Sequence, residues 1–449
     1  MLITLTLLFA TVLAISIVRP EINPGILALA FVFLLLPLLP SEKNFNPAQL
    51  FPTSLFLTLL GVTLFFSCVH VTGLIELLLK RILQRTGKHP KATPVVLFAL
   101  ISALTATGLG NIGTVALIAP LALPLAKELG ISAFSMTLLV VGAANASSFS
   151  PLTLPGILTN DFIQKSIHIS HPDSALPFRW LLFWGVLISI STVTFISFKL
   201  TKKMEKRRGK DITASAVPDS SETKWVAPPL TPEQKRTALV CLALAGLFAA
   251  ANIMTLPTLS LVMTESSAAV VRRLSDVGST GWLGSACMLI LLRSRFETAL
   301  KHVPWSTIVL VCGMSTFIEM ITRAGMPAAL SGLVQQTVSP FWMGATFAAG
   351  SGLLSAFTSS VGVALPTFLP LVDAVAGTLD TATQKALLLA VAAGSHLVDA
   401  SPLSTLGALC LAQITNEKLQ ATVYRQLLIY SFCMIPVAAL CALLFKILI

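Results

Sequence analysis

The sequence predicts an all-α polytopic membrane protein made of two inverted repeats of about five transmembrane helices, each containing a re-entrant hairpin and a broken helix. Three observations predict it. The 449 residues are 55% hydrophobic and only 11% charged, outside the range of chains that fold in water. Apolar runs recur at roughly the 20 residues needed to cross about 30 Å of hydrocarbon. Motifs in the first half return in the second about 250 positions later.

The apolar runs are Leu2 to Val18, Ile26 to Leu39, Pro52 to Leu79, Trp180 to Phe198, Ala238 to Ile253, Trp305 to Ile321 and Leu427 to Leu448. Hydrocarbon offers no partner to a free N–H or C=O, so each run must be a helix that satisfies its own backbone. The alternation of a membrane β-barrel is absent. The first run lacks the preceding basic residues and the following small-residue cleavage pattern of a secretory signal, and reads as a retained helix.

The net charge of +11 is placed by Lys199, Lys202, Lys203, Lys206, Arg207, Arg208 and Lys210 directly behind an apolar helix. This is positive-inside anchoring, and nucleic acid is not an expected partner. The seven cysteines are scattered through apolar helices and form neither a disulfide framework nor a metal knuckle. His168 and His171 sit beside Pro172 in a polar connection and read as a solvated external loop. The chain has no phosphate-binding Gly-Lys-Ser loop and no His-Glu-x-x-His pair, which speaks against direct use of ATP and against a metalloprotease.

Pro52, Gly61 and Gly73 are matched by Pro304, Gly313 and Gly325 at one constant offset. Ser102 to Pro120 meets Ser351 to Pro370, and Ser150 to Gly156 meets Ser401 to Gly407, in the same order. The first repeat is therefore residues 1–200, with scaffold helices in 1–80, a re-entrant hairpin at about 93–129 and a broken helix at about 132–160. A polar linker, 201–234, is expected to be cytoplasmic. The second repeat is 235–449, with scaffold helices in 235–323, a hairpin at about 341–377 and a broken helix at about 383–414. Lys80, Arg81, Arg85, Lys88 and Lys91 follow the first repeated helix, whereas the segment after Gly325 is almost uncharged. By the positive-inside rule the two repeats are inverted and both termini are external, with Arg272 and Arg273 the exceptions to the charge pattern.

The apolar stretch from Thr93 is interrupted by Thr-Ala-Thr-Gly-Leu-Gly-Asn-Ile-Gly-Thr, residues 105–114. Glycine costs about 1 kcal/mol in a helix and Asn and Thr favour turns, which predicts a hairpin tip at Gly110 to Thr114. Thr358-Ser359-Ser360-Val361-Gly362 interrupts the second hairpin alike. Asn145 to Pro151 and His396 to Pro402 lead polar groups into a proline that lacks an N–H. Irregular backbone at membrane depth is tolerated where it is buried in protein or lines a cavity. Half-helix N-termini suit an anion, and freed carbonyls with Asn and Ser side chains suit a small cation.

Asp399 is the ionisable group at such a break and is a functional suspect; the alternative is a carboxylate capping the half-helix near Pro402. His396, three residues earlier, is within reach of it if that stretch is helical. It reads equally as a titrating group and as a structural histidine. Glu319 has Arg323 four residues on and reads as half of an ion pair.

Gly110-Asn111-Ile112-Gly113-Thr114, Ser147-Ser148-Phe149-Ser150-Pro151 and Val398-Asp399-Ala400-Ser401-Pro402-Leu403-Ser404-Thr405-Leu406-Gly407 give the chain its resemblance to the ion transporter superfamily. Within it the chain resembles the MatC-like dicarboxylate carriers, related to the divalent anion sodium symporters. The resemblance implies a homodimer of elevator type, with two hairpins meeting two broken helices at one substrate site. In the sodium symporter branch each tip carries Ser-Asn-Thr; here Asn111 and Ser359 are what remains of it.

The combined expectation is a secondary transporter of a small dicarboxylate (malonate, malate or succinate) in the plasma membrane, coupled to sodium or proton or working as an exchanger, with membrane lipid as its surroundings and no cofactor. Substrate binding is expected at Asn111, Thr114, Ser150, Thr153, Thr358, Ser359, Ser360, Ser401, Ser404 and Thr405. The coupling ion is expected at Gly110, Asn145, Ser148, Gly362, His396 and Asp399. The rival within the superfamily is an inorganic-ion carrier of the arsenite-permease or sodium/proton-antiporter kind; the rival of another class is an intramembrane enzyme.

Overall fold

The computed structural model describes residues 2–19, 22–36, 46–75, 77, 81, 93–128, 130–165, 172–207, 228–254, 266–267, 270–271, 276–325, 329, 332, 334, 336–376, 381–414 and 416–448. Every regular element detailed among them is helical. In chain order these are α1 (Leu2–Val18), α2 (Pro24–Leu35), α3 (Pro47–Leu50), α4 (Thr53–Val71), α5 (Thr93–Leu104), α6 (Gly110–Glu128), α7 (Ala133–Ala146), α8 (Leu154–Lys165) and α9 (Pro172–Arg207). There follow α10 (Pro232–Met254), α11 (Val277–Leu292), α12 (Phe296–His302), α13 (Trp305–Arg323), α14 (Met343–Phe357), α15 (Leu365–Ala376), α16 (Thr381–Leu397), α17 (Thr405–Leu411) and α18 (Glu417–Leu448).

Segments long and apolar enough to cross a bilayer are Thr53–Val71, Thr93–Pro120, Pro177–Met204, Trp305–Arg323 and Glu417–Lys446. Trp184 and Ile188 on α9 and Leu440 and Leu444 on α18 are exposed. Such apolar faces are unfavourable in water and at home in lipid, so the chain is an all-α polytopic membrane protein. Sequence sets the helix starts: Asn23 and Asn46 each accept from the backbone N–H two residues on, at 2.9 Å, with proline at the first helical position.

The chain divides into two compact units, residues 1–52, 97–220 and 309–449, and residues 53–96 and 221–308. Each unit draws on both halves of the sequence, so the boundary does not follow the linker. The expected linker is shorter at both ends, because Thr201–Arg207 continue α9 and Pro232 opens α10; 208–227 lie outside the described residues, as do His168, His171, Arg272 and Arg273.

In the smaller unit α4 and α11 cross at glycine. A Cβ on Gly281 would lie 2.7 Å from the Val62 nitrogen, and Ser285 Oγ donates to the Gly61 carbonyl at 3.2 Å. Close backbone approach of this kind is how membrane helices pack without a hydrophobic drive. Gly281→Ala is expected to cost about 1–3 kcal/mol by overpacking, read as a lower Tm in detergent. An unchanged Tm would show slack in the crossing.

In the larger unit α2 and α13 cross at Gly25 and Gly313, whose backbones leave no room for a Cβ. Around that crossing Leu5, Phe9, Val32, Phe317 and Ile321 form a buried core. α4 and α13 each have 19 residues, and each is followed by a glycine of positive φ, Gly73 at 68° and Gly325 at 96°. Such a glycine ends a helix because an L side chain is strained there.

Candidate functional site

All the sequence-predicted site residues lie in the larger unit. α5 ends in a π-type turn, Thr105–Leu109, in which Gly108 has φ 110°, and Gly110 follows with φ 74°. The interruption is thus centred on Gly108 to Gly110, earlier than the expected tip at Gly110 to Thr114, and Asn111 to Thr114 form the first turn of α6. The reason is conformational: the two left-handed positions are tolerated by glycine alone. At the second interruption α14 stops at Phe357, Thr358 and Ser359 are extended, and a π-type turn, Ser360–Ala364, leads into α15. Ser359 Oγ caps that turn, accepting from Gly362 N at 3.1 Å, and Thr358 Oγ1 donates to the Leu354 carbonyl at 2.6 Å.

The two broken helices, α7 with α8 and α16 with α17, share one local geometry. Thr153 Oγ1 donates to the carbonyls of Ser148 and Ser150; Ser404 Oγ donates to those of Asp399 and Ser401, both at 2.8 Å. A Cβ on Gly156 would overlap the Ser150 carbonyl, and one on Gly407 the Ser401 carbonyl. These hydroxyls satisfy the Ser148 and Asp399 carbonyls at the break and add a second bond to those of Ser150 and Ser401, which also accept from the Thr153 and Ser404 N–H. Thr153 and Ser404 are thus turned inward on their own loops. Ser148 Oγ donates to the Asn145 carbonyl at 2.8 Å, and Ser150 Oγ to the Ala106 carbonyl at 2.6 Å. Ser401 Oγ accepts from Leu403 N at 3.2 Å, and Thr405 is half-buried in the first turn of α17.

Besides the Ser150 bond to Ala106, contacts between side chains bring the interruptions to the broken helices. Asn111 Nδ2 donates to Asn145 Oδ1 at 3.0 Å, and Asn145 Nδ2 donates to the His396 carbonyl at 3.0 Å. Ser360 Oγ donates to Asp399 Oδ2 at 2.7 Å. Asn111, Asn145, Ser360, His396 and Asp399 are all buried. Asp399 Oδ1, His396 Nε2 and Thr114 Oγ1 are buried without a hydrogen-bond partner, and an orphaned buried polar atom calls for an explanation.

His396 does not bond Asp399. Its Nδ1 faces Ser395 Oγ at 3.0 Å and its ring packs on Phe149, centroids 4.7 Å apart. α16 ends at Leu397, so the helical spacing that would bring the two together stops between them. Nor does Asp399 cap α17, where Ser404 holds the cap position. Glu319 pairs with Arg323 at 2.9 Å, away from these contacts. Among the described residues no cluster of three or more His, Cys, Asp or Glu is placed to hold a metal. Sequence reasoning missed Ser395 and the Ala106 carbonyl and gave Phe149, though inside a quoted motif, no role of its own.

Interrupted apolar helices whose breaks carry buried polar side chains and, at Asp399, a buried carboxylate are a feature of secondary transporters. Residues 1–394 match the CitMHS citrate transporter family, and the chain belongs to that family. This places it among membrane transporter proteins at the level of the family, which does not extend to the MatC-like specificity. The chain is also similar to the uncharacterized transporter slr0753 of a Synechocystis strain, at 27% identity over 235 residues, 51% of this chain. The match covers 45% of that relative, so the chain spans about half its length.

Proposed function

We propose that the protein is a secondary active carrier of a small carboxylate, a dicarboxylate such as malonate, malate or succinate or the tricarboxylate citrate, driven by a proton or sodium gradient or by exchange. The observation that carries this reading is the contact of Ser360, at the second interruption, with the buried carboxylate of Asp399, at the second break, whose other oxygen is unpartnered. A carboxylate at membrane depth beside neutral groups, here Ser360, Ser404 and Asn145, is costly unless a proton or cation joins it. Asn111, Thr114 and Ser360 are the residues proposed to meet substrate, with Asp399 holding the coupling ion.

An inverted repeat is supported by the equal lengths of α4 and α13 and by the matching hydroxyl-to-carbonyl bonds of Thr153 and Ser404. Two equivalent interruptions fit alternating access of the elevator kind. The carrier is proposed to work as a homodimer in the plasma membrane, with the linker cytoplasmic and both termini external.

The test is uptake of labelled citrate, malonate, malate and succinate into proteoliposomes under an imposed proton or sodium gradient. Saturable uptake of at least one acid is expected, and Ser360→Ala is expected to lower it about tenfold, the equivalent of one charge-assisted hydrogen bond. No uptake of any of the four by folded protein that still exchanges cations would replace this reading with an inorganic-ion carrier.

A further inference from the structure

We infer that Asn145 is the positioning residue that couples substrate binding at the first interruption to ion binding at the second break, an inference resting on the carrier reading above. Its amide is engaged at both ends, Oδ1 by Asn111 and Nδ2 by the His396 carbonyl. The same side chain lies beside the Asp399 carboxylate, so the amide ties the first interruption to both the His396 peptide and the segment that carries Asp399.

The elements it ties are the N-terminus of α6 and the C-termini of α7 and α16. The His396 carbonyl is among the last of α16, where no further intrahelical donor exists, and Asn145 supplies one. Three residues beyond lies Asp399. A displacement of Asn111 by a bound carboxylate is therefore handed through Asn145 to the His396 peptide and on to the segment that carries Asp399.

Little slack is available to absorb such a displacement. The cavity beside Asn145 and His396, bounded also by Thr194 and Tyr430, is about 10 Å³, at most room for one water. Close-packed surroundings transmit a shift instead of damping it. The tie is also one-sided. At the corresponding place in the other break stands His396, whose ring turns to Ser395 and Phe149, so the first break alone provides the linking amide.

The experiment measures, in proteoliposomes, the carboxylate KM at high and low coupling-ion concentration, together with gradient-free counterflow. In the unmodified protein the ion is expected to change KM about fivefold or more, the usual range of a coupling between sites. In Asn145→Ala that dependence is expected to fall to less than about twofold, with counterflow lowered but still measurable. Asn145→Leu, nearly isosteric, has neither an acceptor for Asn111 nor a donor for the His396 carbonyl; it is expected to behave as Asn145→Ala and serves where the alanine variant does not fold. An ion dependence of KM in either folded variant equal to that of the unmodified protein would overturn the inference, as would loss of counterflow together with ion dependence, which marks a direct ligand. Absence of carboxylate transport by the unmodified protein would instead overturn the carrier reading.

Discussion

Asp399→Ala is expected to abolish concentrative carboxylate uptake, and Asp399→Asn to abolish it while leaving the fold intact. Asp399 is 2% exposed; its carboxylate accepts from Ser360 at 2.7 Å, with the Ser404 and Asn145 side chains beside it. Among the described residues no basic side chain pairs with it. Alanine removes the carboxylate and strands the Ser360 hydroxyl, a loss of about 1–3 kcal/mol in stability that a melting curve in detergent should show. Asparagine keeps the shape and an acceptor for Ser360 but carries neither charge nor an exchangeable acidic proton. Its Tm should stay near that of the unmodified protein while gradient-driven uptake falls by at least about tenfold, or 1.4 kcal/mol. Full concentrative uptake by Asp399→Asn would remove Asp399 from the coupling mechanism.

Gly407→Ala and Gly156→Ala are expected to be the most damaging single-methyl additions in the larger unit. In each the new Cβ falls on a backbone carbonyl, that of Ser401 or Ser150. The Ser401 oxygen is already bonded by Ser404 Oγ at 2.8 Å and by Ser404 N at 3.0 Å, so yielding would undo the loop that ends the break. Overpacking against backbone costs about 1–3 kcal/mol or more, and transport should fall with stability. Two controls fix the scale. Gly344 has its nearest neighbour at 3.6 Å, an ordinary contact, and Gly246 has nothing within 4 Å; alanine at Gly344 should be neutral, and at Gly246, inside α10, stabilising by up to about 1 kcal/mol. If Gly407→Ala melts with these controls, the close approach at the break is not required.

Much of the architecture was legible in the amino-acid order alone, because hydrocarbon is an exacting solvent. It dictates the length of a span, so Thr53–Val71 and Trp305–Arg323 stand out, and it makes every Gly, Pro, Asn and Asp inside a span conspicuous. The interruptions near Gly110 and Ser360, the breaks before Pro151 and Pro402 and the selection of Asp399 all follow from that rule. What periodicity does not encode is which polar groups meet. Asn145 reaches the peptide of His396, 251 residues away, and Ser360 reaches Asp399 across 39, while His396 and Asp399, neighbours by spacing, are parted where α16 ends. Thr153 and Ser404 look like ligands in the sequence and turn back on their own carbonyls in the fold, because a stranded carbonyl inside protein has no water to satisfy it. The solvent and the chain's composition determine where helices run and break; only the packing of distant segments decides which of the exposed groups is left with a hydrogen bond to give.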